Sequence, residues 1–241
     1  IHSHNAQTAF ICNIISKFIP SNVRITQTVH GLEQSKTKIY RNLIYRISNH
    51  NIIAISNYTK YILEKFYVHS DKITIIHNGV DINFPVKKTV ANNTFGIPKD
   101  SFVIGILGVV EGLKGHKLLI DAIDAVITNT QNKSIFGLIC GSGSKLNEII
   151  DHHKKNVGNK ENIIITGYLD NVHDFYNVID LFCLPSIMGE MLPIVVLEAL
   201  SYTKPVIVSS ISGLPEIVHL TQMGDVVKRN SLSDLISKLS M

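Results

Sequence analysis

The sequence predicts an α/β protein built on parallel sheets, and three observations carry that expectation. Short apolar runs rich in β-branched residues recur along the chain. Amphipathic helical patterns separate them. Loops bearing glycine, proline or asparagine follow the ends of most of these runs. In such folds ligands bind at the C-terminal edges of the strands, so those loops are where function is sought.

Taken in order, Val23 to Thr28 reads as a strand followed by the loop His30-Gly31, and Lys36 to Ser48 as a helix. Asn51 to Ile55 is a short apolar strand. Ser56 suits the N-cap of a helix from Tyr58 to Phe66, because its hydroxyl can accept from a first-turn N–H. Lys72 to Ile76 is a strand that runs into the turn-rich His77-Asn78-Gly79-Val80-Asp81. Residues Ile82 to Asp100 are polar, contain two prolines and show no period, so they read as a linker. This divides the chain into 1–84, a linker at 85–100, and 101–241. The second series has strands at Phe102 to Gly108, Ile135 to Cys140, Ile163 to Thr166, Leu181 to Leu184 and Pro205 to Ser209. Helices are expected at His116 to Thr128, Ser144 to His153, Val172 to Val178, up to about Ser201, and Ser231 to Leu239. Ser212-Gly213-Leu214-Pro215 reads as a loop.

Composition excludes several classes. Hydrophobic residues make up 45% and charged residues 17% of the 241, enough apolar material for a sizeable core. The longest apolar-plus-glycine run, Phe102 to Val110, is well short of the roughly 18 residues of a membrane span. The net charge of +4 is mild, and no dense Lys/Arg block suggests nucleic acid. It is compatible with peripheral contact at an anionic membrane surface. Cys12, Cys140 and Cys183 lack metal-ligand spacing and read as reduced thiols of a cytoplasmic protein. The start, Ile1-His2-Ser3-His4-Asn5, lacks a leader and an initiator Met, and we expect further chain before it.

The most informative stretch is Ser186 to Val208. It follows an apolar strand. Pro193 suits a first helical turn, which would leave the N–H groups of Met191, Leu192 and the next turn pointing out toward an anion. Glu190 precedes that helix and Glu198 lies two turns inside it. Their carboxylates can accept hydrogen bonds from hydroxyl pairs of a sugar and of a ribose. On spacing alone, an amphipathic helix with one capping and one solvated glutamate is the plainer reading. Lys114 alone would read as a surface charge, His30 as structural, and Gly141-Ser142-Gly143 as a weak glycine turn. Position 146 is Leu, so the dinucleotide fingerprint is absent. His2, His4 and His77 have no carboxylate at ligand spacing, so no metal is expected. Asp81 and Asp170 read as turn or capping residues.

Several ordered motifs together carry a resemblance. Glu190-Met-Leu-Pro-Ile-Val-Val-Leu-Glu198, Lys204-Pro205-Val206-Ile207 and Gly213-Leu214-Pro215-Glu216-Ile217-Val218 resemble family 4 of the retaining glycosyltransferases. Gly108 with Lys114-Gly115, Cys140-Gly141-Ser142-Gly143 and Gly167-Tyr168-Leu169 look like that family's loops around the donor. Thr28-Val29-His30-Gly31, Ile55-Ser56 and Ile76 to Asp81 look like its acceptor-side domain. The resemblance implies a GT-B fold: two Rossmann-like parallel-sheet domains facing a cleft, the first only partly present. It implies transfer of a hexose from a nucleotide-sugar to a hydroxyl of a glycan or lipid-linked glycan, with retention, at the cytoplasmic face of a membrane. It places Gly108, Lys114, Gly141, Leu169, Glu190, Met191, Leu192 and Glu198 around the donor, and His30 with Glu190 at the reacting sugar. No cofactor and no metal is implied. One departure stands out: the family carries Arg after the glycine of Gly108, and this chain has Val109, with Lys117 the nearest alternative cation. That departure keeps a non-catalytic nucleotide-sugar-binding fragment as an alternative, with a GT-B-fold sugar-nucleotide epimerase as a second.

Overall fold

The computed structural model describes residues 1–19, 23–31, 50–66, 68–82 and 94–240. The helix expected over Lys36 to Ser48 lies outside these residues, as does most of the polar linker. The described strands are β1 His2–Ser3, β2 Thr26–Val29, β3 Asn51–Ala54, β4 Ile73–Ile75, β5 Phe102–Leu107, β6 Ile135–Cys140, β7 Ile163–Gly167, β8 Leu181–Leu184, β9 Val206–Ser209 and β10 Gly224–Val227. The described helices are α1 Ala6–Ser16, α2 Asn57–Lys65, α3 His116–Thr130, α4 Leu146–Asn156, α5 Val172–Val178, α6 Ile194–Ser201, α7 Leu214–Thr221 and α8 Leu232–Leu239. Among them none is long and apolar enough to cross a membrane. The strands form two sheets, ordered β1-β2-β3-β4 and β10-β9-β8-β5-β6-β7, with every described pairing parallel. The chain divides into two compact units: Ile1–Asn78 with Glu190–Leu192, and Gly79–Gly189 with Pro193–Met241.

In the first unit, Val29, Ile52, Ala54, Leu63, Val68 and Ile73 form the core, with α2 packed against β3 and β4. Ser56 caps α2 as expected, its Oγ accepting from Thr59 N–H at 3.0 Å. A partly buried polar chain ties α1 to β2. Asn13 Nδ2 lies 2.6 Å from His50 Nδ1, and His50 Nε2 lies 2.9 Å from Gln27 Oε1. With the amide nitrogen donating to Nδ1, Nε2 carries the ring proton and donates to Gln27, so both nitrogens are satisfied.

In the second unit β6 and β8 are buried throughout, and β5 is buried from Val103 onward. This explains their unbroken apolar sequence: both faces of a parallel sheet are covered by helices. Counting from β5, the strand order is 3-2-1-4-5-6, with the chain reversing direction of travel between β5 and β8. Loops leaving the C-terminal ends of those two strands flank the switch point of the sheet, where doubly wound folds bind ligands.

Four described elements go beyond the sequence expectation: β1, which pairs with β2, and three more. Helix α1 is capped by Asn5, whose Oδ1 accepts from Thr8 N–H at 2.8 Å. Residues 214–221, taken as a loop at their start, form α7, with Leu214, Ile217 and Val218 buried at helical spacing. Strand β10 pairs with β9 at the sheet edge.

Candidate functional site

The loop after β5, Gly108 to Gly115, is held by its neighbours through backbone contacts. Gly108 N–H donates to Cys140 O at 3.1 Å, Val110 N–H to Ser142 O at 2.9 Å, and Lys145 N–H to Val110 O at 2.9 Å, so the β5–β6 ladder continues past the strands. Gly141 adopts φ +139°, and a Cβ there would lie 1.8 Å from Gly108 O. Its N–H donates to Gly167 O at 2.8 Å, which brings in the end of β7, two residues before the half-buried Leu169. From β8, Ile187 N–H donates to Leu113 O at 2.7 Å. Gly115 has φ +82°, and its Cβ position is 2.2 Å from Pro185 O. Loops separated by up to roughly 75 residues thus form one surface at the switch point.

That surface surrounds the start of α3. Gly115 is its N-cap and offers no side-chain acceptor, so the N–H groups of His116, Lys117 and Leu118 have no partner within the helix. No acidic residue sits in the first turn, and Lys114 precedes it with its stem against Gly108. A 15-residue helix start with a lysine at its mouth suits an anion. Val109, where the resemblance expects Arg, is 54% exposed. Lys117 is exposed in the first turn; the Glu148 carboxyl is held below its ordinary range chiefly by its hydrogen bond and ion pair with Lys145, with Lys117 a smaller contribution.

His116 was missed in the sequence, and only its place in the fold reveals it. It is 2% exposed, and neither ring nitrogen makes a hydrogen bond among the described residues. Burial, with a smaller push from Lys114 and opposed by the Gly108 backbone, lowers its pKa to about 4. The sign is clear. Between the ordinary value of 6.5 and about 4 the unfolded chain binds the proton and the folded one does not. This stability is therefore full above pH 6.5 and falls as pH drops through that window, by about 3 kcal/mol at most. Melting temperatures measured from pH 7 to 4.5 should show this fall, and His116→Leu should make it shallower. An equally steep profile in the variant would place the effect elsewhere.

Helix α6 begins at Ile194, because Pro193 is extended (ψ 129°) and takes the N-cap position. This corrects the expectation that Pro193 opens the helix. The outward N–H groups are those of Ile194 and Val195; Met191 and Leu192 precede the cap. Glu198 consequently lies one turn inside the helix, not two. It is half-buried, and its Oε2 accepts from Tyr176 Oη–H at 2.6 Å. Glu190 is 3% exposed.

The expected site residues fall in both units. Gly108, Lys114, Gly141, Leu169 and Glu198 belong to the second, while His30, Glu190, Met191 and Leu192 belong to the first. His30 follows β2 and is bonded through Nε2 to His4 Nδ1 at 2.8 Å, with the two rings stacked. His2 Nε2 reaches Thr28 Oγ1 at 2.7 Å. Burial, then His4 and His2, lower the pKa of His30. The sequence spacing of His2 and His4 gave no sign of these pairings across 26 positions. No group of three or more His, Cys, Asp or Glu among the described residues is arranged to hold a metal ion.

Comparison with known proteins decides the family. Residues 88–240 match the model for glycosyl transferases group 1, and residues 1–84 match that for glycosyltransferase family 4. The chain belongs to the group 1 glycosyltransferases. This glycosyltransferase-family chain is 26% identical over 255 aligned residues to an Escherichia coli UDP-Gal:alpha-D-GlcNAc-diphosphoundecaprenol alpha-1,3-galactosyltransferase, covering 99% of the chain and 65% of the relative. Among solved structures it resembles the Anabaena protein HepE in complex with UDP, with TM-score 0.86 and 17% identity, over 98% of this chain and 66% of that one. A Rickettsia africae glycosyltransferase gives TM-score 0.82 at 22% identity, over 99% and 64%. These likenesses establish the GT-B fold that the motifs implied. The chain spans about two thirds of the length of the relatives it matches.

Proposed function

We propose that the chain is the donor-binding part, with a portion of the acceptor-side domain, of a retaining hexosyltransferase that moves a hexose from a nucleotide-sugar to a hydroxyl of a glycan or lipid-linked glycan. The observation that supports this most is the switch-point surface, where the loop of Gly108 and Lys114 is fixed against those of Gly141 and Pro185 around the α3 start. In this reading the helix start and Lys114 receive the diphosphate. The negative charge that grows on the leaving group as the glycosidic bond breaks meets donors already in place, so no metal is needed. Glu198 accepts the ribose hydroxyls, Glu190 those of the sugar, and Gly141 and Leu169 border the nucleotide.

Retention without a side-chain nucleophile follows if the acceptor attacks on the face the diphosphate leaves, with the leaving phosphate taking the acceptor proton. His30 then lies on the acceptor side. The Escherichia coli relative's name specifies UDP-Gal and a lipid diphosphate acceptor, which favours a uridine nucleotide and a lipid-linked acceptor at the cytoplasmic membrane face. Val109 favours a second reading, in which the chain binds the nucleotide-sugar without transferring it, since a bidentate phosphate partner is missing.

NMR of reaction mixtures with UDP-galactose or UDP-glucose, with and without a GlcNAc-diphospholipid acceptor, tests the proposal. A new glycoside with the donor's anomeric configuration is expected. An inverted product, or epimerised donor in the absence of acceptor, would contradict it. Binding without product would favour the second reading.

A further inference from the structure

We infer that Tyr176 is a positioning residue for Glu198 and sets the discrimination between ribose and deoxyribose in the nucleotide site. This inference rests on the ribose role proposed for Glu198. Tyr176 is 1% exposed, so its hydroxyl is not shared with bulk water. Its Oη–H donates to Glu198 Oε2 at 2.6 Å; the other acceptor within reach, Val195 O, is at 3.3 Å. The short distance is that of a charge-assisted bond. Burial first, and then Glu198, push the phenol's pKa upward, so it remains a donor at any working pH.

The ring that carries this hydroxyl is fixed from several sides. It stacks on Tyr202 at 5.2 Å between centroids, inclined by 25°, and meets Phe175 edge-on at 5.2 Å. Tyr202 is in turn hydrogen-bonded through its hydroxyl to His173 Nδ1. The donor is therefore held in place before any ligand arrives. With Oε2 engaged, the carboxylate cannot rotate freely, and Oε1 is left in one orientation for incoming hydroxyls. An ionised carboxylate accepts only, so it recognises a pair of ribose hydroxyls and gains nothing from a dideoxyribose. A glutamate that must be ordered on binding loses side-chain entropy; one already fixed loses less.

The test compares calorimetric affinities of the 241-residue chain for UDP and 2′,3′-dideoxy-UDP. Wild type should prefer UDP by about tenfold or more. Glu198→Ala should abolish the preference. Tyr176→Phe keeps the ring and should lower the preference roughly threefold to tenfold through UDP, leaving the dideoxy affinity unchanged. Tyr202→Phe is the comparison: its hydroxyl is hydrogen-bonded to His173 and not to Glu198, so it should move the ratio less than Tyr176→Phe does. A Tyr176→Phe protein with the wild-type ratio would overturn the inference while leaving the Glu198 reading intact. Loss of preference already in wild type, or its retention in Glu198→Ala, would overturn the Glu198 reading and the inference with it.

Discussion

Glu198→Ala is expected to weaken nucleoside diphosphate binding by one to two orders of magnitude while the fold persists. Two terms act. The ligand loses its hydrogen bonding to a charged acceptor, which contributes about 1.5–3 kcal/mol in all. The protein is left with a buried Tyr176 hydroxyl whose best remaining acceptor is Val195 O at 3.3 Å, which costs about 1–3 kcal/mol of stability. The first term appears only in affinity and the second only in unfolding, so calorimetry and thermal denaturation separate them. Glu198→Gln refines the comparison: an amide oxygen still accepts from Tyr176, and it should recover most of the stability but only part of the affinity. An unchanged dissociation constant in Glu198→Ala would remove the residue from the nucleotide site.

Gly115→Ala should have a large effect on the structure itself. Its φ of +82° costs an L residue about 1–2 kcal/mol. The added methyl would also sit 2.2 Å from Pro185 O and 2.8 Å from Pro185 C. These are backbone atoms, held by the Ile187–Leu113 hydrogen bond and unable to rotate away. Relief requires the loops after β5 and β8 to separate, at a further cost of about 1–3 kcal/mol. A loss of about 3 kcal/mol corresponds to roughly 6–12 °C in melting temperature for a chain of this size. Nucleotide binding should fall as well, because the two loops that separate are the ones flanking the α3 start. Gly79→Ala, where no atom lies within 4 Å of the Cβ position, should change the melting temperature little. Equal melting temperatures for the two variants would show that the close approach at Pro185 is not stabilising.

What the sequence disclosed follows from how local each signal is. Strands β5, β6 and β8 were legible because both faces are buried and every residue, apart from Gly105 and Gly137, is apolar. Helix α3 runs two residues past the expected Thr128: Thr130 Oγ1 bonds Val126 O, and Gln131 closes the helix in the left-handed conformation at φ 54°. Helix α1 was obscured because Ile11, Ile14 and Ile15 are exposed alongside its inward residues, which blurs the apolar stripe; the cap at Asn5 was the signal available. Strand β10 escaped notice because an edge strand of Gly224-Asp225-Val226-Val227 buries only its last residue. The α7 pattern Leu214, Ile217, Val218 was present but lay behind a glycine and a proline that read as a turn.

The candidate site was legible where motifs mark chain geometry. Gly108, Gly141 and Gly115 stand where backbones approach, and Lys114 precedes a helix start. Tyr176, His116 and His4 were not legible, because each acquires its role from a partner or an enclosure distant in sequence. Tyr176 meets Glu198 across 22 positions and His4 meets His30 across 26. No local spacing encodes such meetings; the parallel sheet order creates them.

The central claim is that the switch-point surface binds a nucleoside diphosphate through the α3 start, Lys114 and Glu198. Titrating the chain with UDP, GDP and ADP in a thermal unfolding assay, followed by calorimetry, tests it most directly. At least one diphosphate should raise the melting temperature, by the equivalent of about 2.7 kcal/mol at one hundred times its dissociation constant. Lys114→Ala and Glu198→Ala should each weaken that binding. No stabilisation by any of the three, or binding that both substitutions leave unchanged, would contradict the claim.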